Sequence, residues 1–187
     1  MAQLSESGKE EALHLARWCL NKVVQGINEP KPHLGDSLFT EKRGVFITLK
    51  SGGDLRGCIG TVEPVFTLEN GIYEMAEGAA TRDPRFPPVT AEELDNITIE
   101  ISILTPPEEI SGPSEIEVGI HGLIVELGSF KGLLLPQVAV EERWEAVKFL
   151  NYTCQKAGLP NDTWKAGDCN IFRFTATVFG EYDSYIS

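Results

Sequence analysis

The stretch Ile97-Thr98-Ile99-Glu100-Ile101-Ser102-Ile103 decides the fold class, because isoleucine stands at every second position with a polar residue between. Successive side chains of a strand point to opposite faces of its sheet. Strict alternation of apolar and polar residues therefore predicts a β-strand that is buried on one face only. The chain is expected to contain a sheet with one apolar face.

A hairpin is predicted before this strand. Residues 45–50 and 55–61 have the composition of strands, and Ser51-Gly52-Gly53-Asp54 between them places a glycine pair among polar residues. Such a pair is a signal for a hairpin turn. A second hairpin and a last strand are predicted later in the chain, at residues 122–127, 133–135 and 171–179.

The helical spacing of apolar residues predicts helices between the strands. The first helix is expected to begin at the capping box Ser7-Gly8-Lys9-Glu10 and to end before Pro30 and Pro32. Further helices are predicted at residues 67–80, at about residues 144–158 and, briefly, after the capping box Thr90-Ala91-Glu92-Glu93.

Two segments are predicted to be loops. In Arg82-Asp83-Pro84-Arg85-Phe86-Pro87-Pro88 the prolines remove backbone donors and fix backbone angles. Residues 106–117 are rich in proline, glycine and acidic residues. Strands that arrive as hairpins, with helices interspersed, predict an α+β fold with a mainly antiparallel sheet and packed helices. Residues 1–187 are expected to form one domain.

The charge of the chain argues against two classes of partner. Lys and Arg number 16 against 28 Asp and Glu, which gives a net charge of −12. That field repels phosphate backbones and anionic lipid, so nucleic-acid and membrane binding are disfavoured. The first residues lack the basic start and apolar run of a signal peptide, and no stretch is long enough to span a membrane. A cytoplasmic protein is expected.

The 4 cysteines show no Cys-x-x-Cys pair and are expected to be free thiols in a reducing compartment. Cys19 and Cys154 lie on apolar helix faces and are expected in the core. Cys58, His121 and Cys169 match no compact zinc motif, so no metal site is predicted.

The main candidate site is Leu55-Arg56-Gly57-Cys58-Ile59-Gly60-Thr61. Regular alternation would turn Leu55 and Ile59 toward the core and Arg56 and Cys58 toward the opposite face. A guanidinium beside a thiol favours the thiolate and lowers the pKa of the thiol. The segment therefore predicts an activated cysteine.

Two interpretations of this segment stay open. In the first, Cys58 is exposed and reactive, and Gly57 and Gly60 let a ligand or another backbone come close. In the second, Cys58 packs as a small apolar residue and Arg56 pairs with a surface carboxylate.

The same segment resembles the signature of the AMMECR family, named from the human chromosomal region for Alport syndrome and midface hypoplasia. The similarity runs in order from about Arg43 to Phe174. Three further stretches are similar to family motifs, namely Asp83-Pro84-Arg85-Phe86-Pro87-Pro88-Val89, Val118-Gly119-Ile120-His121-Gly122 and Leu134-Leu135-Pro136-Gln137-Val138-Ala139.

This resemblance implies an α+β protein with a larger lobe, holding both termini, and a smaller lobe. It also implies that residues 55–60 are the suspected active site, although no reaction is settled for the family. Microbial members often occur beside a Memo-type protein and a radical-SAM protein. These two proteins are therefore the expected partners.

The proline-rich loop and His121 are further candidates. Arg82 and Arg85 could clamp a carboxylate or phosphate. In the alternative, Asp83 and Arg85 tie the loop to the sheet while Phe86 fills the core. His121 begins a predicted strand and could carry a proton only within hydrogen-bonding reach of Cys58, directly or through one water. Otherwise it is a structural residue.

The leading hypothesis is a cytoplasmic enzyme, or an enzyme's partner subunit, with a cleft around Cys58 for a small anionic substrate. Cys58 and His121 are its candidate catalytic residues. Its candidate substrate-binding residues are Arg56, Gly57, Gly60, Arg82, Asp83 and Arg85. The alternative is a non-catalytic module that docks a Memo-type or radical-SAM protein. The sequence identifies no cofactor.

Overall fold

A computed structural model describes residues 3–181 of the chain and divides them into two compact units. The first unit holds residues 3–104 and 177–181, and the second holds Thr105–Ala176. Both described ends of the chain therefore belong to the larger unit, as the resemblance implied. The predicted α+β fold with antiparallel strands is confirmed.

Helices and strands follow one another in chain order. Residues up to 104 form α1 (Glu6–Gln25), a 3-10 helix (Ser37–Thr40), β1 (Gly44–Ser51), β2 (Asp54–Thr61), α2 (Leu68–Thr81), a 3-10 helix (Ala91–Asn96) and β3 (Ile97–Leu104). Later residues form β4 (Glu108–Ile110), a 3-10 helix (Pro113–Glu115), β5 (His121–Leu127), β6 (Phe130–Leu134), α3 (Pro136–Glu141), α4 (Ala146–Lys156), a 3-10 helix (Thr163–Ala166) and β7 (Asn170–Gly180).

The first unit is built on the alternation that the sequence shows. In its sheet β1 lies between β2 and β3, and Ile47 stands opposite Ile59 on one side and Ile101 on the other. The buried side chains of these strands share one core with the apolar faces of α1 and α2. Because neighbouring positions alternate, the other face of the sheet carries polar side chains. We call Thr48, Lys50, Cys58 and Glu100, all half-buried, the polar face.

The predicted hairpin between β1 and β2 is confirmed. Gly52 and Gly53 turn the chain with φ of 61° and 93°, values that side chains other than glycine rarely adopt. β2 is the edge strand of this sheet, since among the described strands it pairs with β1 alone. An edge strand exposes unpaired backbone groups, and these must find other partners.

The start of the first helix differs from the prediction. Ser5, not Ser7, caps α1: its hydroxyl accepts from the Gly8 N–H at 3.0 Å and donates to Asp36 at 3.0 Å. That distant carboxylate fixes the cap, and no local pattern shows it. Gly26, in the left-handed conformation, ends α1 before the prolines. Among the helices of residues 3–181, none is both long and apolar enough to cross a membrane.

The second unit contains the second predicted hairpin. β5 lies between β6 and β7, and Gly128 turns the chain between β5 and β6 with φ of 59°. Buried residues of β5 and α4 form a separate core. Cys154, as expected, is fully buried there, as Cys19 is in the core of the first unit.

One loop prediction is wrong. Residues 106–117 contain β4, which pairs antiparallel with Ile171–Arg173 of β7, and a 3-10 helix. The pairing partner lies about sixty residues away along the chain, so composition alone does not reveal it. The short helix α3 was likewise not predicted.

Arg143, between α3 and α4, has φ of 55°. A residue with a Cβ is strained in this region, whereas glycine adopts it freely. Arg143→Gly should therefore raise the free energy of unfolding by about 0.5–1 kcal/mol. Urea titration of both proteins measures the difference. Arg143→Ala keeps the strained backbone and serves as the control. A lower stability of Arg143→Gly than of Arg143→Ala would contradict the prediction.

Candidate functional site

Cys58 lies near the middle of the edge strand β2, on the polar face. It stands directly opposite Thr48, whose hydroxyl donates to the Cys58 Sγ at 3.4 Å. Cys58 is half-exposed, while Cys19, Cys154 and Cys169 are buried. Of the cysteines, all within the described residues, Cys58 is thus the accessible thiol.

The proline-rich loop holds the backbone of Cys58. The Cys58 N–H donates to Asp83 Oδ2 at 2.8 Å, and Arg85 Nη2 donates to the Cys58 carbonyl at 3.4 Å. Both backbone groups therefore point away from β1 and toward the loop. Two side chains take the place that a neighbouring strand would occupy at this edge.

Asp83 is the centre of this arrangement. It is 4% exposed, and Arg85 donates to it through Nε at 2.9 Å and through Nη2 at 2.7 Å. The Arg85 guanidinium is the main reason that the pKa of Asp83 lies well below its usual range. The same bond raises the pKa of Arg85. The pair stays ionised and fixes the loop against the strand.

A β-bulge at Arg56 interrupts the alternation of β2. Leu49 stands opposite Gly57 and Lys50 opposite Leu55, so Arg56 has no partner on β1. An extra residue of this kind moves the side chains before it to the other face. The prediction that Leu55 shares the core face with Ile59 is therefore wrong, and Leu55 is 42% exposed.

The bulge also directs Arg56 to a carboxylate. Arg56 donates to Glu93 through Nε at 2.7 Å and through Nη2 at 3.0 Å. This bond is the main reason that the pKa of Glu93 falls to about 2. This bond is the carboxylate pairing of Arg56 that the second interpretation of the sequence predicts. Glu93 also accepts from the Thr90 N–H, as the predicted capping box requires.

Phe86 lies beside both arginines. Its ring centre is 5.9 Å from the guanidinium carbon of Arg56 and 5.5 Å from that of Arg85. Distances below about 6 Å allow a cation–π attraction. Arg56 Nη1 is buried and has no hydrogen-bond partner among the described residues.

Both glycines of the segment are required by neighbours inside the first unit. A Cβ on Gly57 would lie 2.3 Å from the Ala79 carbonyl oxygen of α2, and one on Gly60 would lie 2.2 Å from the Phe46 ring. Close packing within the protein thus accounts for Gly57 and Gly60. Their contact with a ligand stays a prediction.

Within the described residues, the predicted site residues Arg82 and His121 form their hydrogen bonds with other partners. Arg82 donates to the Glu74 carbonyl at 3.1 Å, within α2 and its C-terminal end. His121 belongs to the second unit, where its Nδ1 accepts from the Glu117 N–H at 2.9 Å. Burial, followed by the charge of Arg173, lowers the pKa of His121. A catalytic role for His121 stays a prediction.

The sequence interpretation missed Thr48 and Glu93 as neighbours of the predicted residues. Thr48 alternates with Ile47 and Leu49 in the first predicted strand, so its place on the polar face could have been found from the period of two. The Arg56–Glu93 bond joins residues far apart in the chain and carries no local signal.

Asp83→Asn tests whether the carboxylate fixes the site. Loss of its charge weakens the hydrogen bonds from Arg85 and from the Cys58 N–H. The free energy of unfolding should therefore fall by about 1–3 kcal/mol. Urea titration gives this difference. Asp95→Asn, at an exposed position, is the control. Equal stabilities of the two variants would contradict a structural role for Asp83.

Glu93 makes a pH-dependent contribution to stability. Its pKa is lowered from 4.5 to about 2 in the folded protein, so it stabilises the fold fully above pH 4.5 and progressively less as the pH falls toward 2. Glu93→Gln should flatten the dependence of the unfolding free energy on pH between pH 5 and pH 3. Glu109→Gln, on an exposed carboxylate, should leave that slope as it is in the unmodified protein.

Three comparisons place the chain among known proteins. The AMMECR1 family model matches residues 13–179. A protein of Methanothermobacter thermautotrophicus is 46% identical over 187 residues, covering 96% of this chain and 97% of its own. One of Methanocaldococcus jannaschii is 51% identical over 154 residues, covering 78% and 77%.

A solved structure is similar over nearly the whole chain. The crystal structure of an uncharacterised protein from Pyrococcus horikoshii superposes with a TM-score of 0.83 at 42% identity, covering 96% of this chain and 94% of its own. The family model spans most of the chain, and these relatives are 42–51% identical to it. The chain belongs to the AMMECR1 family.

Proposed function

We propose that this protein is a cytoplasmic enzyme that uses the Cys58 thiol, as nucleophile or acid–base group, on a small anionic substrate. The observation that carries the proposal is the fixed position of Cys58. Asp83 and Arg85 hold its backbone N–H and carbonyl groups, while the residue stays half-exposed. Catalytic groups need such positioning, because misplaced reacting atoms lose most of the rate advantage.

Arg85 is the cation beside Cys58 in this proposal, since its Nη2 donates to the Cys58 carbonyl. The bond to Asp83 is the main cause of its raised pKa, and the negative charges of Asp83 and of a Cys58 thiolate raise it further. Arg85 is therefore within electrostatic reach of Cys58. Its side chain is 54% exposed, so it can also meet a substrate.

The other cysteines provide internal controls for the reactivity of Cys58. Burial raises the pKa of Cys19 to about 12 and also raises the pKa values of Cys154 and Cys169. Only a thiolate is alkylated at a useful rate. In the native protein at pH 8, iodoacetamide should modify Cys58 at least about a hundredfold faster than the other thiols. Peptide mass spectrometry gives the four rates, and slow labelling of Cys58 until the protein unfolds would overturn the proposal.

Substrate turnover gives the second test. Purified protein is incubated with a small-molecule extract, and the compounds consumed are identified by mass spectrometry. Any consumption should disappear in Cys58→Ser and persist in Cys154→Ser, whose thiol is in a core. A compound consumed equally by the protein and by Cys58→Ser would contradict a catalytic thiol.

A second candidate is a module that docks a Memo-type or radical-SAM protein without chemistry at Cys58. Leu55, 42% exposed at the start of β2, favours this candidate, since the buried cores of protein interfaces are rich in apolar side chains. Leu55→Glu should then abolish capture of a purified partner, whereas Cys58→Ala should capture it normally. Gly57 and Gly60 are unsuitable for this test, because side chains there would collide inside the protein. Normal capture by Leu55→Glu would exclude docking at this edge.

A further inference from the structure

The polar face contains a second charged pair beside Cys58. Thr48 stands opposite Cys58 on β2 and opposite Glu100 on β3, so these three side chains form one row across three strands. Lys50 follows Thr48 by two residues and points to the same face. Its Nζ lies 2.8 Å from Glu100 Oε2. The Lys50 ammonium therefore extends toward the row that contains the thiol.

Lys50 lies diagonally to both ends of this row. It stands opposite Thr98 on β3, two residues from Glu100, and opposite Leu55 on β2, just before the bulge that precedes Cys58. Diagonal neighbours on adjacent strands are about 7–8 Å apart, within reach of long side chains. A change of rotamer can thus move the Lys50 ammonium from Glu100 toward Cys58.

The cations near Cys58 differ in how firmly they are held. Arg56 and Arg85 each donate two hydrogen bonds to one carboxylate. Within residues 3–181 the Lys50 ammonium has one hydrogen-bond partner, Glu100. The side chain of Lys50 is 38% exposed and that of Glu100 is 33% exposed. Ion pairs that are this exposed contribute little to stability, because water screens them. Lys50 is therefore the cation that an incoming anion can recruit most easily.

We propose that Lys50 binds a carboxylate of the substrate at Cys58, and that Lys50 stays paired with Glu100 until this carboxylate displaces Glu100. The inference rests on the proposed function, since it names the group that recognises the substrate at the same site. It makes opposite predictions for the two members of one ion pair. Loss of Lys50 removes the binding charge, whereas loss of the Glu100 charge removes its competitor.

Two alkylating reagents of nearly equal size test the proposal. Iodoacetate carries a carboxylate and iodoacetamide is neutral; in both, the thiolate forms an S–C bond and iodide leaves. The ratio of their rate constants at Cys58 is independent of the thiolate fraction, which cancels. An ammonium near 4 Å contributes about 1 kcal/mol in water, or about fivefold in this ratio.

The ratio, measured by peptide mass spectrometry at low salt, should fall about fivefold in Lys50→Met. It should be kept in Lys50→Arg and should rise in Glu100→Gln. The matched controls are Lys131→Met and Glu126→Gln. That pair, in the second unit, has an N–O distance of 2.7 Å and side-chain exposures of 40% and 34%. Both controls should leave the ratio at Cys58 unchanged.

Two outcomes separate this inference from the proposed function. If Cys58 reacts rapidly with iodoacetamide but the ratio is the same in Lys50→Met, the inference is overturned and the proposed function stands. A ratio that falls in Glu100→Gln as well as in Lys50→Met also overturns it, because a merely structural ion pair behaves in that way. If Cys58 reacts with neither reagent in the native protein, both are overturned.

Discussion

The site depends on one buried carboxylate. The Asp83 carboxylate accepts a hydrogen bond from the Cys58 N–H. It also accepts hydrogen bonds from the guanidinium and the backbone N–H of Arg85. Without a partner, the outward N–H of an edge strand must bond to water or attract another strand. Asp83 supplies that partner from a loop that prolines already stiffen. The accessibility of the thiol and the rigidity of its backbone thus have a common origin.

The residues around Cys58 also show how a strongly acidic chain can keep cations at a site. Each arginine there is matched with its own carboxylate, Arg56 with Glu93 and Arg85 with Asp83. Both pairs are bidentate, so they fix the geometry of the side chains as well as the position of the charges. A net charge of −12 therefore gives no indication of the charge next to the thiol. In the proposed function, the charge that a substrate encounters is set by the few groups that are held loosely.

Patterns that repeat along the chain predicted much of the fold. The alternation from Ile97 to Ile101 in β3, the glycine turn after β1 and the capping box at Thr90 agree with the structure, whereas the end of β3 is buried on both faces. Each depends on neighbours within a few residues, and such interactions are visible in a sequence. The motif around Cys58 was located by the same means, together with the family resemblance.

Other features could not be predicted because they depend on distant contacts. The cap at Ser5 is fixed by Asp36, and the strand β4 exists because β7 lies beside it. The bulge at Arg56 changes which side chains share a face with Cys58, and a regular period of two cannot show where it fails. The bond between Arg56 and Glu93 is a consequence of that irregularity.

The contact between Gly57 and α2 affects which sequence changes the family can accept in this helix. It is made by main-chain atoms, with the Ala79 carbonyl where a side chain of residue 57 would begin. Side-chain replacements along α2 leave such atoms in place. The helix can therefore accumulate substitutions on its outer face while the spacing between α2 and β2 is preserved. The side chains of α2 can therefore change without moving Cys58.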